Sequence, residues 1–204
     1  MRKFAPLLII LGLIGILFFW YIGIKNGAVR ENQAVSKEWG NVETAYQRRN
    51  DLIGNLVKTV KGAADFEKST LEAVINARAK ATSTTIDPTN ITPEQLQQFQ
   101  QAQGGLNSAL SRLLVTVEKY PDLKANQNFL KLQDELASTE NQILTARTRF
   151  NEAVQQYNNY ILIFPNSMFL GNYKEKPYFE SEKGAEKPVE VEFDFGNNEK
   201  AATE

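Results

Sequence analysis

The chain shows two kinds of hydrophobic pattern. Residues 4–24 form an apolar run without a single charge, whereas apolar positions after about residue 28 recur at alternating steps of three and four. About 20 apolar residues are enough to cross the ~30 Å hydrocarbon core of a bilayer. The three-and-four spacing is typical of helices that pack along one seam. The pattern therefore predicts a transmembrane helix followed by a helical body.

The apolar run has the features of an uncleaved membrane anchor. Four aromatic residues, 18–21, stand at its distal end, where aromatic rings favour the membrane interface. The alternative is a cleaved signal peptide, which would have a shorter apolar region and a small-x-small site, and residues 25–28 match such a site poorly. We expect residues 4–24 to bind the lipid bilayer. Basic residues nearly balance on the two sides, so the orientation stays open.

Four amphipathic helices are predicted after the anchor. They cover about residues 28–61, 65–82, 92–117 and 126–164. Their seams and mostly short links predict an all-α protein, an elongated antiparallel four-helix bundle behind the single transmembrane helix. We assign residues 25–166 to the bundle and 167–204 to a non-helical tail. The first bundle helix either continues the membrane helix or bends at a hinge, Gly27.

Capping patterns locate several helix ends. Thr92 and Gln95 match a capping box at the start of the third helix, with a proline at its first position. Ser69 and Glu72 match a second capping box, which would start the second helix near residue 69 instead of 65. Pro165 ends the fourth helix.

The predicted seams also contain polar residues. They are Arg49, Arg78, Gln103, Glu140 and Arg147. Since a buried charge is costly unless it is paired, we expect a buried polar layer in which Arg49 and Arg147 share Glu140, while Arg78 pairs with Glu67. Such a layer would fix the register between helices. The alternative places the arginines at the edge of the seam, with their guanidiniums reaching water.

Composition excludes several functional classes. The 204 residues include no histidine and no cysteine, so neither a Ser-His-Asp triad, a thiol nucleophile nor a zinc site of the usual ligands can form. The net charge of −1 leaves no basic surplus to neutralise phosphates, so we expect no nucleic acid as partner. We expect no enzymatic activity and no cofactor.

The tail contains a strand-like pattern at residues 188–195. Four apolar residues alternate there with acidic ones: Val189, Val191, Phe193 and Phe195. Period-two alternation is typical of a strand. A strand without a sheet of its own either stays solvated as part of an acidic tail or adds to the exposed sheet edge of a partner.

Three long stretches resemble the LemA family of bacterial membrane proteins. They read "EWGNVETAYQRRNDLIGNLVKTVKG", "KYPDLKANQNFLKLQDELASTENQILTAR" and "FNEAVQQYNNYILIFP", and the resemblance extends over residues 24–195. Gly54 stands where the family often has proline, which favours a straighter first helix. The resemblance implies a short N-terminal anchor, an elongated helical bundle and no catalytic residue to carry over.

The same resemblance shapes the expected function. Family members are often encoded near membrane zinc peptidases, which implies partnership. We therefore expect a non-enzymatic, single-pass protein of the bacterial inner membrane that acts as an interaction or scaffold module. The alternative is a regulatory or ligand-sensing partner of a membrane peptidase, with a site at the polar layer or at Gly104-Gly105.

Overall fold

The protein is helical throughout most of its length. The computed structural model describes residues 5–62 and 66–180. Its helices are α1 (Ala5–Lys61), α2 (Lys68–Ser83), α3 (Pro93–Val117), α4 (Pro121–Lys124), α5 (Gln127–Leu162) and α6 (Asn166–Phe169). No strand occurs within the described residues. The predicted all-α class is therefore confirmed.

Helix α1 joins the apolar run to the body without a break. Its 57 residues correspond to about 85 Å at ~1.5 Å per residue. Of the two alternatives at Gly27, the structure has the continuous helix and not the hinge. Gly27 instead permits a close approach, since a Cβ atom at this position would overlap the hydroxyl of Tyr160. That hydroxyl donates a hydrogen bond to the carbonyl of Ile24, 3.1 Å away.

The capping box of α3 is confirmed. The Thr92 hydroxyl accepts a hydrogen bond from the Gln95 backbone N–H, and the Gln95 side chain accepts one from the Thr92 N–H. The second predicted capping box does not form. Helix α2 begins at Lys68 without a side-chain cap, because the Ser69 hydroxyl donates to the carboxylate of Glu67.

Helix α5 begins as predicted and ends two residues earlier. The Asn126 side chain accepts hydrogen bonds from the backbone N–H groups of Asn128 and Phe129. The last helical residue is Leu162, and Ile163 is already extended. The physical reason is Pro165, whose ring disfavours helical backbone in the preceding residue.

Helix α1 packs along α5, and α2 packs along α3. Positions 24, 39 and 49 of α1 meet positions 160, 150 and 140 of α5, in reverse order. Two buried clusters result. The anchor-side cluster includes Trp39, Tyr46, Phe99, Ile143, Phe150, Tyr157, Leu170 and Phe179. The distal cluster includes Leu52, Ile53, Leu56, Leu71, Val74, Leu106, Leu113, Phe129 and Leu136.

The N-terminal part of α1 stands outside both clusters. Its large apolar side chains from Ile9 to Tyr21 are exposed, and burial begins at Ile24. Among the described helices, α1 alone is long and apolar enough to cross a membrane.

Candidate functional site

A network of hydrogen bonds surrounds the guanidinium of Arg49, which is 1% exposed. Its Nη1 donates to Asn107 Oδ1 at 2.9 Å and to Glu140 Oε1 at 3.1 Å. Its Nη2 donates to Gln103 Oε1. The guanidinium also lies 4.8 Å from the ring centre of Tyr46, within the range of a cation–π contact. Helices α1, α3 and α5 therefore meet at one cation.

This network separates the two apolar clusters. On α1, the anchor-side cluster ends at Tyr46 and the distal cluster begins at Leu52. On α5, the corresponding boundary lies between Leu136 and Ile143. A slip of one helix by a heptad would move Arg49 away from its partners and into apolar surroundings, at the cost of an unpaired buried charge.

Neutral amides hold Arg49 on its buried side, and a carboxylate holds it on its open side. Gln103 is 4% exposed and also donates to the carbonyl of Ala81 at 3.4 Å. The side chain of Glu140 is 49% exposed, so solvent weakens its attraction for the guanidinium. The Nε of Arg49 is buried and has no hydrogen-bond partner among the described residues.

The structure does not bring Arg78 into this network. Its Nε donates to the carbonyl of Asn50 at 2.8 Å, and its Nη2 lies 3.8 Å from Asp51. The predicted pairing with Glu67 is wrong. Glu67 stands just before α2, eleven residues and therefore about 16 Å along the axis from Arg78.

Arg147 also lies outside the network. Its Nη2 donates to the carbonyl of Glu180 at 2.9 Å, and its guanidinium lies 4.9 Å from the ring centre of Phe179. The expectation that Arg147 shares Glu140 is therefore wrong. The segment after α6 contacts α5 at this point. It supplies a carbonyl and an aromatic ring to Arg147, which the spacing of apolar residues along the helices could not predict.

An open cleft of about 640 Å³ lies beside the Arg49 network. Its walls are rich in amides and include Gln97, Gln100, Gln101, Gln103, Gly104 and Asn107. Glu140, Arg147 and Glu180 line the same cleft. Gly104 has open space around its missing side chain.

Two asparagines on α5 hold the extended segment 172–180, which the sequence did not predict. Asn158 Nδ2 donates to the Lys176 carbonyl, and its Oδ1 accepts from the Lys176 N–H, both at 2.9 Å. Asn151 makes the same pair of bonds with Phe179, at 3.1 and 2.8 Å. Each amide satisfies the backbone as a neighbouring strand would. The only indication of this contact in the sequence is the seven-residue spacing of Asn151 and Asn158, which places both side chains on the same face of α5.

The extended segment also completes the anchor-side cluster. Phe179 stacks on Trp39 with ring centres 6.0 Å apart, and it meets the ring of Phe150 edge-on at 5.4 Å. Its side chain is 6% exposed. A residue beyond the last helix therefore belongs to the core.

Lys176 ties the same segment to the linker between α2 and α3. Its Nζ donates to the carbonyl of Thr89 at 2.9 Å and of Pro88 at 3.4 Å, and it lies 5.5 Å from the Tyr157 ring centre. Burial lowers the pKa of Lys176, and the charge of Asp87 partly opposes this shift. Hydrogen bonds from the hydroxyl and then the backbone N–H of Thr89 lower the pKa of Asp87.

Two further points concern acidic side chains as metal ligands and the predicted strand of the tail. Within residues 5–62 and 66–180, no group of three or more acidic side chains is placed to hold a metal ion. The predicted partner-binding strand, Val189, Val191, Phe193 and Phe195, lies outside the described residues.

The fold defines the class of the protein as all-helical, with one N-terminal helix long and apolar enough to cross a membrane. The LemA family profile matches residues 38–193, and the chain belongs to that family. It is 27% identical to Protein LemA of Metamycoplasma hominis over 80% of this chain and 71% of that protein. It is 26% identical to Magnetosome protein MamQ 2 of Paramagnetospirillum magneticum, over 80% and 67% of the two chains.

Proposed function

We propose that the chain is a non-enzymatic, single-pass protein of the bacterial cell membrane. In this proposal its body is an elongated antiparallel four-helix bundle that acts as an interaction or scaffold module. The observation that carries the proposal is the extended segment 172–180, which two asparagines hold against α5. Within the described residues the segment reaches Glu180, which lines the polar cleft.

The form of α1 supports a scaffold. The helix is unbroken between its apolar run and the body, and Ile24 and Ala28 are already buried in the anchor-side cluster. The body therefore starts where the apolar run ends. A body coupled to its anchor in this way would hold the cleft and the tail at a set distance from the membrane.

The tail supports recruitment of a partner. The period-two sequence pattern at residues 188–195 would suit addition to an exposed sheet edge, where backbone hydrogen bonds supply affinity and alternate side chains supply specificity. The magnetosome relative carries the name of a cell structure and not of a reaction, which is in keeping with a role outside catalysis.

Photo-crosslinking in the native cell tests the proposal. The crosslinking amino acid would replace Gln100, at the cleft, or Val115, which is 69% exposed at the far end of α3. We expect a discrete product from Gln100 that is lost when residues 186–204 are deleted, and none from Val115. Unchanged recovery after the deletion would refute strand addition, and no discrete product from either position would refute the interaction module.

The second candidate is a regulatory or ligand-sensing partner of a membrane peptidase. The cleft beside Arg49 favours it, because its amide-rich walls suit a small polar ligand. The test is the melting temperature of the purified full chain against a panel of small carboxylates and divalent cations. Gly104→Ala adds a methyl group to the cleft, whereas Gly105→Ala is a matched control in open space.

A ligand of the cleft should raise the melting temperature of the wild type and of Gly105→Ala by several degrees. The rise should be smaller in Gly104→Ala. A panel without any effect, or with equal effects on both variants, would contradict this candidate.

A further inference from the structure

An exposed apolar loop follows α5. This apolar loop comprises residues 163–169 and includes the short helix α6. Its most exposed large side chains are Phe164 at 75%, Met168 at 70% and Ile163 at 60%. No charged residue occurs between Tyr157 and Tyr173. Surface apolar residues are ordinary when scattered, but a contiguous, uncharged group marks a contact surface.

The apolar loop lies beside the end of the transmembrane run. The ring of Phe169 meets the rings of Trp20 and Tyr21 edge-on, each at 5.8 Å between centres. Trp and Tyr at the end of an apolar run lie at the level of the lipid headgroups. The contacts with Phe169 therefore place the apolar loop at that same level, next to α1.

The lysines near the apolar loop are consistent with a position at the level of the lipid headgroups. Lys25 Nζ lies 5.8 Å from the Tyr21 ring centre and 5.2 Å from that of Tyr173. Lys25 and Lys174 are the basic residues that bound the two uncharged stretches. Lysines at such a boundary reach phosphate groups while their stems remain in apolar surroundings.

The backbone of the apolar loop satisfies many of its own polar groups. The N–H of Ser167 donates to the Ile163 carbonyl and that of Met168 to the Pro165 carbonyl, both at 3.1 Å. The N–H of Leu170 donates to the Asn166 carbonyl at 3.0 Å. Internal pairing of this kind reduces the cost of moving backbone out of water and toward lipid.

We propose that Ile163, Phe164 and Met168 insert into the interfacial layer of a phospholipid bilayer, giving the protein a second lipid contact beside α1. The inference rests on the proposed membrane anchoring by α1. One helix that crosses a bilayer leaves the tilt of the attached body free. A second contact, at the end of the other helix of the α1–α5 pair, fixes that tilt.

The absence of cysteine makes the test direct, because a single introduced cysteine carries the only label. The full chain would be reconstituted in phosphatidylcholine nanodiscs with an environment-sensitive fluorophore at Phe164→Cys or Met168→Cys. Quenching by nitroxide-bearing lipid and by aqueous iodide would be compared. Leu144→Cys, 63% exposed on α5 and about 30 Å from Phe164 along the chain axis, is the matched aqueous control, and Ile14→Cys is the membrane control.

We expect lipid quenching at positions 164 and 168 to exceed that at position 144 several-fold. Iodide quenching at positions 164 and 168 should be several-fold weaker than at position 144. Iodide access equal to that at position 144 would overturn the second contact. Shielding from both quenchers that depends on protein concentration would overturn it as well, since another copy would then cover the loop. A lack of lipid quenching at Ile14→Cys would instead overturn the anchor itself.

Discussion

The two apolar clusters on either side of Arg49 are built differently. The anchor-side cluster is rich in aromatic rings, with Trp39 in contact with three phenylalanines. The distal cluster is mostly aliphatic and takes its residues from α1, α2, α3, α4 and the start of α5. The same pair of long helices, α1 and α5, therefore serves two different cores.

The difference follows from the length of α2. This helix ends at Ser83, and its buried residues belong to the distal cluster. On the anchor side, Ile86 and Ile91 of the linker, together with Leu170 and Phe179, take the place of a fourth helix. The apolar face of a helix must pack against another apolar surface. That surface can be an irregular segment if its backbone polar groups are hydrogen-bonded. Asn151 and Asn158 supply such hydrogen bonds here.

The largest effect should come from removing the ring that closes the anchor-side cluster. Phe179→Ala is expected to lower the free energy of unfolding by about 3–5 kcal/mol, the range for a buried Phe→Ala change. Urea unfolding of the full chain in detergent, followed by circular dichroism, measures it. Tyr178→Ala is the matched control, since this neighbour is 43% exposed. Equal losses in both variants would contradict a core role for the segment.

The boundary between the clusters should show coupling between Arg49 and Glu140. Glu140→Leu is expected to cost about 1–3 kcal/mol, because it removes one acceptor of a buried cation. This is less than for a fully buried pair, because Glu140 is half exposed. Arg49→Met and the double variant complete a cycle, with an expected coupling of about 0.5–3 kcal/mol. Simple additivity of the unfolding free energies would exclude a shared network.

A loss no larger than this is expected when one of the two asparagines, Asn158, can no longer bind the segment. Asn158→Ala removes two hydrogen bonds to Lys176 and should cost about 1–3 kcal/mol at this buried site. Amide hydrogen exchange near residue 176 should accelerate, while exchange in the distal cluster should not change. Asn159→Ala, at the exposed neighbouring position, is the control, and comparable exchange in the two variants would argue against this role of Asn158.

The smallest expected effect is a pH dependence from Lys176. Because burial lowers its folded-state pKa, the folded protein loses this proton before the unfolded chain does. As pH rises from the lowered pKa toward the ordinary lysine value of about 10.4, the free energy of unfolding of the wild type should increase relative to Lys176→Met. Paired urea titrations at several pH values measure the difference. A constant or falling difference would contradict a buried ammonium.

Sequence periodicity was sufficient to predict the helices and the burial of Arg49. The capping box at Thr92 and the N-cap at Asn126 form as local chemistry requires, because their partners lie within one helical turn. The spacing that places Arg49 between Tyr46 and Ile53 also places it on the buried face of α1. Periodicity alone did not reveal that Asn107 would join Gln103 and Glu140 around it.

The sequence by itself determined the all-helical class, the apolar run and the presence of a cation in the core, since each depends on residues close together in the chain. Only the tertiary structure decided which acceptors Arg78 and Arg147 find, and that Phe179 fills the core beside Trp39. Those pairings join residues 28 to 140 positions apart, and their choice depends on where α2 ends and which helix faces are left open. The spacing of apolar residues within a helix does not indicate where α2 ends or which helix faces are left open.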